Sequence, residues 1–565
     1  MASFISAMDQ NTIDEKGCVA YTAKGVSSND EGLNEDLGLV ALMSKIIGTR
    51  PGKKGPKVVG TSRSTIEDLY TFVKENIDTR AVEEQQVYMN YLVKAIFKVR
   101  DIKDGNGERD IFYWLFLKLY MTHPELVVAT FPVLTGGYNE DGSLNSEEPF
   151  GSYLDLNKLY NLGGDDLKKS VLAYYKFCLE LDSDSKTPTL ASKWAPREGK
   201  KVDNESNMAH DLALEIFGRK DTNGSMMKTY RKFIVQISRK IDSIVERFMS
   251  ADKWDEIDIK NICSKAFMKY MKALKNENKD GTIRHEYDDA RMKLRNKILE
   301  EQKKALTNPE ECKINTKTLF AYEITEQYMA GKLSAFDADS QWAKFENDFK
   351  EKLGGEDSLT PGVCLTDVSG SMAGIPMVVC ITLSILLSKN MPKPWNGSVL
   401  TFETVPQWFK IRGTRFSEMV ESVRRAPWGG TTDFEKALSM ILEVAKRNKI
   451  PDEEMPRIFY IFSDMQWNQA SRGNPSGHKL IQKMYSDAGY TMPHIVYWDL
   501  RATNTYNNKS DQVGTTMMSG FSQNMFKEFV NGNMKVTNTP WESLRDSLDT
   551  DRYGALQSVI DKCFK

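Results

Sequence analysis

Apolar positions along the chain follow one pattern before about residue 340 and another after it. In the first part, apolar residues recur every three to four positions, and runs of β-branched residues are few. This spacing places them on one face of a helix. The clearest predicted helices cover residues 83–99, 111–121, 165–181, 226–249 and 258–274. Two stretches rich in Gly, Asn, Asp, Ser and Glu predict loops at residues 136–152 and 182–206. The heavily charged stretch 275–310 predicts a long, exposed helix.

Beyond residue 340, continuous apolar runs alternate with helical patterns. The runs at 362–367 and 457–464 have the length of buried strands, and each ends in an aspartate. The apolar stretch 376–388 is too short to span a bilayer and fits a helix buried against a sheet. We therefore expect an α plus α/β multidomain protein. Its N-terminal region is all-α, with stacked, repeat-like helix pairs, and its C-terminal domain contains buried parallel strands that alternate with helices.

Three predicted strand-end loops carry oxygen ligands. The first has the spacing D-x-S-x-S, with Asp367, Ser369 and Ser371 on one turn. A second loop, Gly-Gly-Thr-Thr-Asp at 429–433, precedes a helical pattern, and a third ends at Asp464. Hydroxyl and carboxylate oxygens are the ligands that Mg²⁺ or Mn²⁺ prefers, and open α/β sheets bind ligands at the carboxyl ends of their strands. An ordinary helix N-cap explains the first loop alone but not all three in order.

With these loops in view, residues 360–535 resemble a von Willebrand factor A (vWA) domain with a metal-ion-dependent adhesion site (MIDAS). The resemblance implies a Rossmann-like, doubly wound sheet with Mg²⁺ where the strand order reverses. Its second-loop ligand is Thr431 or Thr432, and the spacing to the following helix favours Thr432. The implied metal ligands are Asp367, Ser369, Ser371, Thr432 and Asp464. The open metal position then accepts an Asp or Glu from a partner protein.

Further segments resemble the family known as domain of unknown function 2828, over roughly residues 35–560. They are RDIKDGNGERDIFY at 100–113, SKWAPR at 192–197, DVSGSM at 367–372 and FSDM at 462–465. That family in turn looks like the TROVE (Ro autoantigen) proteins, in which a ring of helical repeats that binds RNA precedes a vWA domain. The resemblance implies a tail at 1–35, a helical TROVE-like region at 36–345, and a vWA-like domain with a C-terminal extension at 346–565.

Basic residues support RNA binding independently of that resemblance. They lie in a Gly/Pro-rich loop at 49–57, in a loop at 193–201 that also holds a tryptophan, and on a predicted helix near residue 231. Lys and Arg neutralise phosphates, and Trp stacks on unpaired bases. The alternative is an ordinary solvated surface, with Trp194 as a packing residue. The candidate RNA contacts are Lys53, Lys54, Lys193, Trp194, Arg197, Lys200, Lys201, Arg231 and Lys232.

Composition and the absence of several motifs exclude some classes of protein. The 565 residues carry a formal net charge of −2, which gives no global attraction to nucleic acid or membranes. The seven cysteines form no C-x-x-C pair, and P-loop, H-E-x-x-H and G-x-S-x-G motifs are missing. With no secretory signal pattern, we expect a cytoplasmic, non-enzymatic protein. Its expected role is RNA binding, as in a ribonucleoprotein, combined with Mg²⁺-dependent partner binding. The alternative is a protein–protein adaptor that uses the MIDAS without RNA.

Overall fold

In a computed structural model, helices occupy most of the chain before residue 354. The described residues are 12–13, 19–20, 39–40, 42–43, 63–218, 225–355, 358–393, 395–401, 406–426, 434–464, 475–501, 513–530 and 539–563. The helices of this part are α1 (Arg63–Asp78), α2 (Val82–Arg100), α3 (Asp110–Thr122), α4 (Pro124–Ala129), α5 (Phe131–Thr135), α6 (Tyr153–Leu162), α7 (Asp165–Asp184), α8 (Ala191–Trp194), α9 (Lys201–Ser206), α10 (Met208–Phe217), α11 (Ser225–Ser238), α12 (Val245–Ser250), α13 (Ser264–Leu274), α14 (Asp289–Thr307), α15 (Ala321–Met329) and α16 (Ala335–Leu353). Ahead of them, two-residue strands β1 (Thr12–Ile13) and β2 (Val19–Ala20) pair antiparallel.

Three predicted helices are confirmed, since α2, α3 and α7 cover 83–99, 111–121 and 165–181. The single helix predicted over 226–249 is wrong. Helix α11 ends at Ser238, where the Arg247 guanidinium donates to the carbonyl oxygens of Ser238 and Arg239 and so satisfies the helix end. The helix predicted from residue 258 begins only at Ser264, in α13, after a short 3₁₀ turn.

The long exposed helix predicted over 275–310 is confirmed only over Asp289–Thr307, and the first part of that prediction is wrong. Asn276, at φ 54°, turns the chain, and its side-chain amide donates to the His285 carbonyl oxygen at 2.8 Å. Helix α14 therefore starts only at Asp289, and it buries Leu294 and Ile298. The loop at 136–152 is confirmed as lacking helix, whereas 182–206 contains the short helices α8 and α9 and the end of α7.

A six-stranded mixed sheet forms the centre of the C-terminal part. Its strands are β3 (Gly362–Thr366), β4 (Ser398–Thr401), β5 (Trp408–Lys410), β6 (Ile458–Ser463), β7 (His494–Asp499) and β8 (Thr515–Ser519). They lie in the order β5-β4-β3-β6-β7-β8, and only the edge strand β5 runs antiparallel to its neighbour. This is the doubly wound order, which reverses between β3 and β6. The expected parallel sheet is confirmed for five strands, and the antiparallel edge is an addition.

The helices of this part are α17 (Ile375–Asn390), α18 (Phe416–Arg424), α19 (Phe434–Asn448), α20 (Pro475–Asp487), α21 (Pro540–Leu548) and α22 (Asp551–Cys563). Side chains of each central strand alternate between the two faces of the sheet. In β6, Tyr460 and Phe462 pack with α17, whereas Phe459 and Ile461 pack with α19 and α20. Both faces of the sheet are therefore covered by helices.

Apolar cores cross the predicted domain boundary between residues 345 and 346. The α17 face of the sheet shares one core with α12 to α16. A second core contains α1 to α11 and also the C-terminal helix α22, whose Tyr553 stacks on Phe150 at 5.7 Å between ring centroids. Arg552 of the same helix pairs with the buried Asp101 at 3.0 Å. The division itself remains a prediction. Within the described ranges, no helix has the length and apolar character needed to cross a bilayer.

The turn that follows α2 joins the two cores. Asn106 donates from Nδ2 to the Ser519 carbonyl oxygen at 3.0 Å, and Asn524 donates to the Ile102 carbonyl oxygen at 2.8 Å. Gly107 adopts φ +66° against the ring of Phe320. The segment at 100–113 is one of those that resemble the domain of unknown function 2828 family. It forms a contact between the helical region and the sheet.

Candidate functional site

The strongest candidate site lies where the strand order reverses. Strands β3 and β6 are adjacent and parallel, and Thr366 pairs with Phe462 near their carboxyl ends. Asp367 and Asp464 follow these strands directly and come out at the same edge of the sheet. Both are almost fully buried, at 0% and 1% exposure. This is the edge at which doubly wound sheets bind ligands.

Hydrogen bonds hold the Asp367 carboxylate in one orientation. The Ser463 hydroxyl donates to its Oδ2 at 2.7 Å, and the backbone N–H of Ser369 donates to its Oδ1 at 2.9 Å. The Asp367 backbone N–H also donates to the Phe462 carbonyl oxygen at 3.1 Å. Ser463 was not among the predicted site residues, although it stands directly before Asp464 in the sequence.

The two serines of the first loop lie beside this carboxylate. Ser369 and Ser371 are half-buried, and their hydroxyl oxygens are 2.9 Å apart. A short 3₁₀ turn over Gly370–Met372 brings them together, and Gly374, at φ 98°, lets the chain enter α17. The predicted order of strand, turn and helix is confirmed here. The hydroxyls face a more open environment than the carboxylates do.

The electrostatics of the site disfavour two negative charges. Burial, and next the charge of Asp464, raise the pKa of Asp367 to about 6. Like charges in a dry site disfavour each other's ionised form, and a bound divalent cation reverses this effect. The residues present therefore fit a hard cation such as Mg²⁺, with Asp367, Asp464, Ser369 and Ser371 as oxygen donors.

The structure brings together four of the five predicted metal ligands at one sheet edge. Thr431 and Thr432, the candidates for the fifth, lie outside the described residues. Among the described residues, no group of three or more His, Cys, Asp or Glu side chains is placed to hold a metal ion. A site made of two carboxylates and several hydroxyls is of a different type, so metal binding at Asp367 stays a prediction.

A third strand-end carboxylate was missed. Asp499 ends β7, opposite Ser463 in the ladder, and is 5% exposed. Its Oδ1 accepts a hydrogen bond from the backbone N–H of Arg501 at 2.8 Å. The signal was present in the sequence, because the apolar run at 494–499 ends in an aspartate, as the other two runs do.

The structure also places two of the predicted basic segments against each other. Tyr230 of α11 donates its hydroxyl to the Pro196 carbonyl oxygen at 2.8 Å. Arg231, also of α11, pairs with Glu198. Lys200, Lys201 and Lys232 are exposed. We call these three exposed lysines, which lie on the two contacting segments, the basic surface.

Several members of the predicted RNA-binding set have contacts within the protein. Arg197 is half-buried and donates to the Ser192 carbonyl oxygen at 3.0 Å and to the Ser238 hydroxyl at 3.1 Å. Trp194 is half-buried and packs against the N-terminal core, with the Lys193 ammonium 5.6 Å from its ring centroid. These contacts favour packing as the role of Trp194. Lys53 and Lys54 lie outside the described residues.

Two family matches cover separate parts of the chain. Residues 176–287 match the family described as Domain of unknown function (DUF2828), which confirms that resemblance over this range. Residues 362–556, which contain the sheet, match a different family, described as Domain of unknown function (DUF7788). Neither match reaches half of the chain.

Two individual proteins are also similar. "Uncharacterized protein L728" of Acanthamoeba polyphaga mimivirus is 28% identical over 508 residues, which is 85% of this chain and 84% of that protein. The crystal structure of the Deinococcus radiodurans RO (RSR) protein aligns over 88% of this chain and 100% of its own, with 12% identity and a TM-score of 0.37. A TM-score this low carries no argument about fold or function.

Proposed function

We propose that this protein is a non-enzymatic binding protein whose vWA-like domain binds a partner protein through Mg²⁺. One observation carries the proposal. Two buried carboxylates from adjacent parallel strands meet at the reversal of strand order, beside two half-buried hydroxyls. Burying two like charges together is costly unless a cation compensates them.

Each residue has a distinct part in this proposal. Asp367 and Asp464 supply the negative charge, whereas Ser369 and Ser371 supply neutral oxygens, together with Thr432 of the second loop. Mg²⁺ prefers six oxygen ligands and often keeps an open or water-filled position. With few charged ligands, the ion would attract a carboxylate from an Asp or Glu of the partner. The half-buried serines lie on the accessible side of the site.

A pull-down of the full chain with and without EDTA tests partner binding. Wild type should capture a set of proteins that is lost on chelation and restored by Mg²⁺. Ser371→Ala should lose the same set, because it removes one neutral oxygen. Ser358→Ala is the matched control, since Ser358 is also half-buried but lies ahead of β3, at the opposite edge. A captured set that is indifferent to EDTA and to Ser371→Ala would contradict partner binding through the metal.

A second function, RNA binding by the helical region, is favoured by the basic surface. The near-neutral chain provides no global attraction, so affinity must come from such a local patch. Lys200, Lys201 and Lys232 are exposed and available to phosphates. The adaptor alternative keeps the metal site and omits RNA.

Filter binding of single-stranded RNA to the full chain across a salt series distinguishes the RNA-binding function from the adaptor alternative. Replacing Lys200, Lys201 and Lys232 by Gln should lower the slope of log affinity against log salt by about 2, at roughly 0.7 per phosphate contact. Replacing Lys293, Lys297 and Lys303 by Gln is the control, because these exposed lysines lie on α14. If wild type binds no RNA at low salt, the RNA function is excluded and the adaptor reading stands.

A further inference from the structure

A large cleft lies beside the second core, and none of its lining residues belongs to the candidate metal site. It has a volume of about 1270 Å³ and lies between α4, α5, the 138–147 loop, α7 and the C-terminal helix α22. This exceeds the roughly 300–1,000 Å³ that is typical of small-molecule sites. The space suits several residues of a peptide.

The base of the cleft is apolar and aromatic. Val128, Tyr174, Phe177 and Val559 line it, and all four are only half-buried. They pack against the second core from its outer side. Partly exposed apolar side chains that are gathered in a concave surface are typical of protein interaction sites.

The edge of the cleft is acidic. Glu125, Glu140 and Glu147 line it and are exposed. Within the part of the chain that the structure describes, their carboxylates make no hydrogen bond or ion pair. Asp141 adds a fourth carboxylate, which accepts from the Ser143 backbone N–H at 2.9 Å. Among the described lining residues, Lys562 is the one cation, so the edge is strongly negative.

The thiol of Cys563 lies at the same edge, and these carboxylates affect its pKa. Burial, and next the charges of Glu125 and Glu140, raise its pKa. The carboxylates from α4 and from the 138–147 loop therefore act on one common space, although they come from separate segments. We call this cleft, with its apolar base and carboxylate edge, the acidic cleft.

We propose that the acidic cleft binds a Lys/Arg-rich, amphipathic segment of a partner protein. The cationic side chains of such a segment would pair with Glu125, Glu140 and Glu147, and its apolar side chains would cover Tyr174 and Phe177. Complementary charge sets the choice of partner and the rate of encounter, while apolar burial supplies affinity. RNA is disfavoured here, because its phosphates have the same sign as the cleft edge. This site is independent of the proposed metal-dependent binding.

Fluorescence anisotropy on the full chain tests the proposal with a labelled 12-residue peptide of Lys and Leu, patterned as an amphipathic helix. Two matched peptides carry Glu in place of Lys or Ser in place of Leu. The Lys/Leu peptide should bind, both matched peptides should bind at least tenfold more weakly, and binding should weaken as salt rises. Equal binding of all three peptides would overturn the proposal.

Protein variants locate the site. Replacing Glu125, Glu140 and Glu147 by Gln should weaken binding of the Lys/Leu peptide about tenfold or more. Replacing Glu286, Glu300 and Glu310 by Gln changes the net charge equally at exposed positions near or on α14 and should leave binding unchanged. A benzophenone-bearing peptide should crosslink within residues 120–147, 170–177 or 555–563, which line the cleft. Equal loss in both triple variants, or crosslinks confined to other regions, would refute the acidic cleft as the site.

Discussion

The buried carboxylate of Asp155 allows a sharp test of how the helical region is held together. Arg100 of α2 binds it with two hydrogen bonds, from Nε to Oδ1 at 3.0 Å and from Nη2 to Oδ2 at 2.8 Å. Tyr113 of α3 donates its hydroxyl to Oδ1 at 2.6 Å, and the Ser152 backbone N–H donates to Oδ2 at 2.7 Å. One side chain at the start of α6 thus connects three helices.

Replacing Asp155 by Asn removes the charge and keeps the shape. The side chains of Arg100 and Asp155 are 4% and 0% exposed, so the guanidinium would be left buried without its counter-ion. Removing one partner of such a pair costs about 3–5 kcal/mol. A cooperative unit of about 150–250 residues loses about 2–4 °C of melting temperature per kcal/mol. Asp155→Asn should therefore melt on the order of 10 °C below wild type.

Differential scanning calorimetry of the full chain measures this shift. Asp165→Asn is the matched control, because Asp165 pairs with Lys168 while 89% of its side chain is exposed, and such pairs contribute little. Asp165→Asn should leave the melting temperature nearly unchanged. If Asp155→Asn melts within a degree or two of wild type, the inferred role of the buried pair is wrong.

Three further predictions concern stability. Gly107→Ala should destabilise the junction of the two cores by about 1–3 kcal/mol, because the added Cβ would lie 2.3 Å from Phe320 Cζ and the backbone has φ +66°. Gly142→Ala, at φ +79° but in open space, is the control and should lower the melting temperature less. Burial raises the pKa of Asp155, but the charge of Arg100 outweighs burial and leaves the pKa below its ordinary value. The ionised carboxylate therefore contributes fully to the free energy of unfolding above about pH 4, and this contribution is lost as the pH falls through the lowered pKa. Acid titrations followed by circular dichroism should therefore show a smaller loss of stability for Asp155→Asn than for wild type. Trp194→Ala should lower the melting temperature of the RNA-free protein, and an unchanged value would contradict the packing role.

The sequence predicted best those elements whose residues contact their own neighbours. Helices α2, α3 and α7 follow from apolar spacing, and β3 and β6 from uninterrupted apolar runs. The break after Ser238 depends on Arg247, nine residues away, and no local pattern shows that contact. The return of α22 to the N-terminal core depends on the pairing of Phe150 with Tyr553, which are distant in sequence.

The candidate metal site was predictable for a similar reason. A carboxylate that directly follows a buried strand lies at the edge of the sheet, wherever the strand is placed. Neighbouring strands then bring such residues together, as they do for Asp367 and Asp464. The same rule would have found Asp499. It could not reveal the hydrogen bond from Ser463, because that contact depends on which strand lies next to β3.

Calorimetric titration of the full chain with Mg²⁺ and Mn²⁺ tests the central claim most directly. The full chain is required because one apolar core extends across residue 346. Wild type should bind one divalent ion, and Asp367→Asn/Asp464→Asn should bind none. Asp452→Asn, which alters a carboxylate near the start of β6 at the opposite edge, should bind as wild type does. Equal binding by wild type and the double variant would contradict the metal site and the partner binding that rests on it.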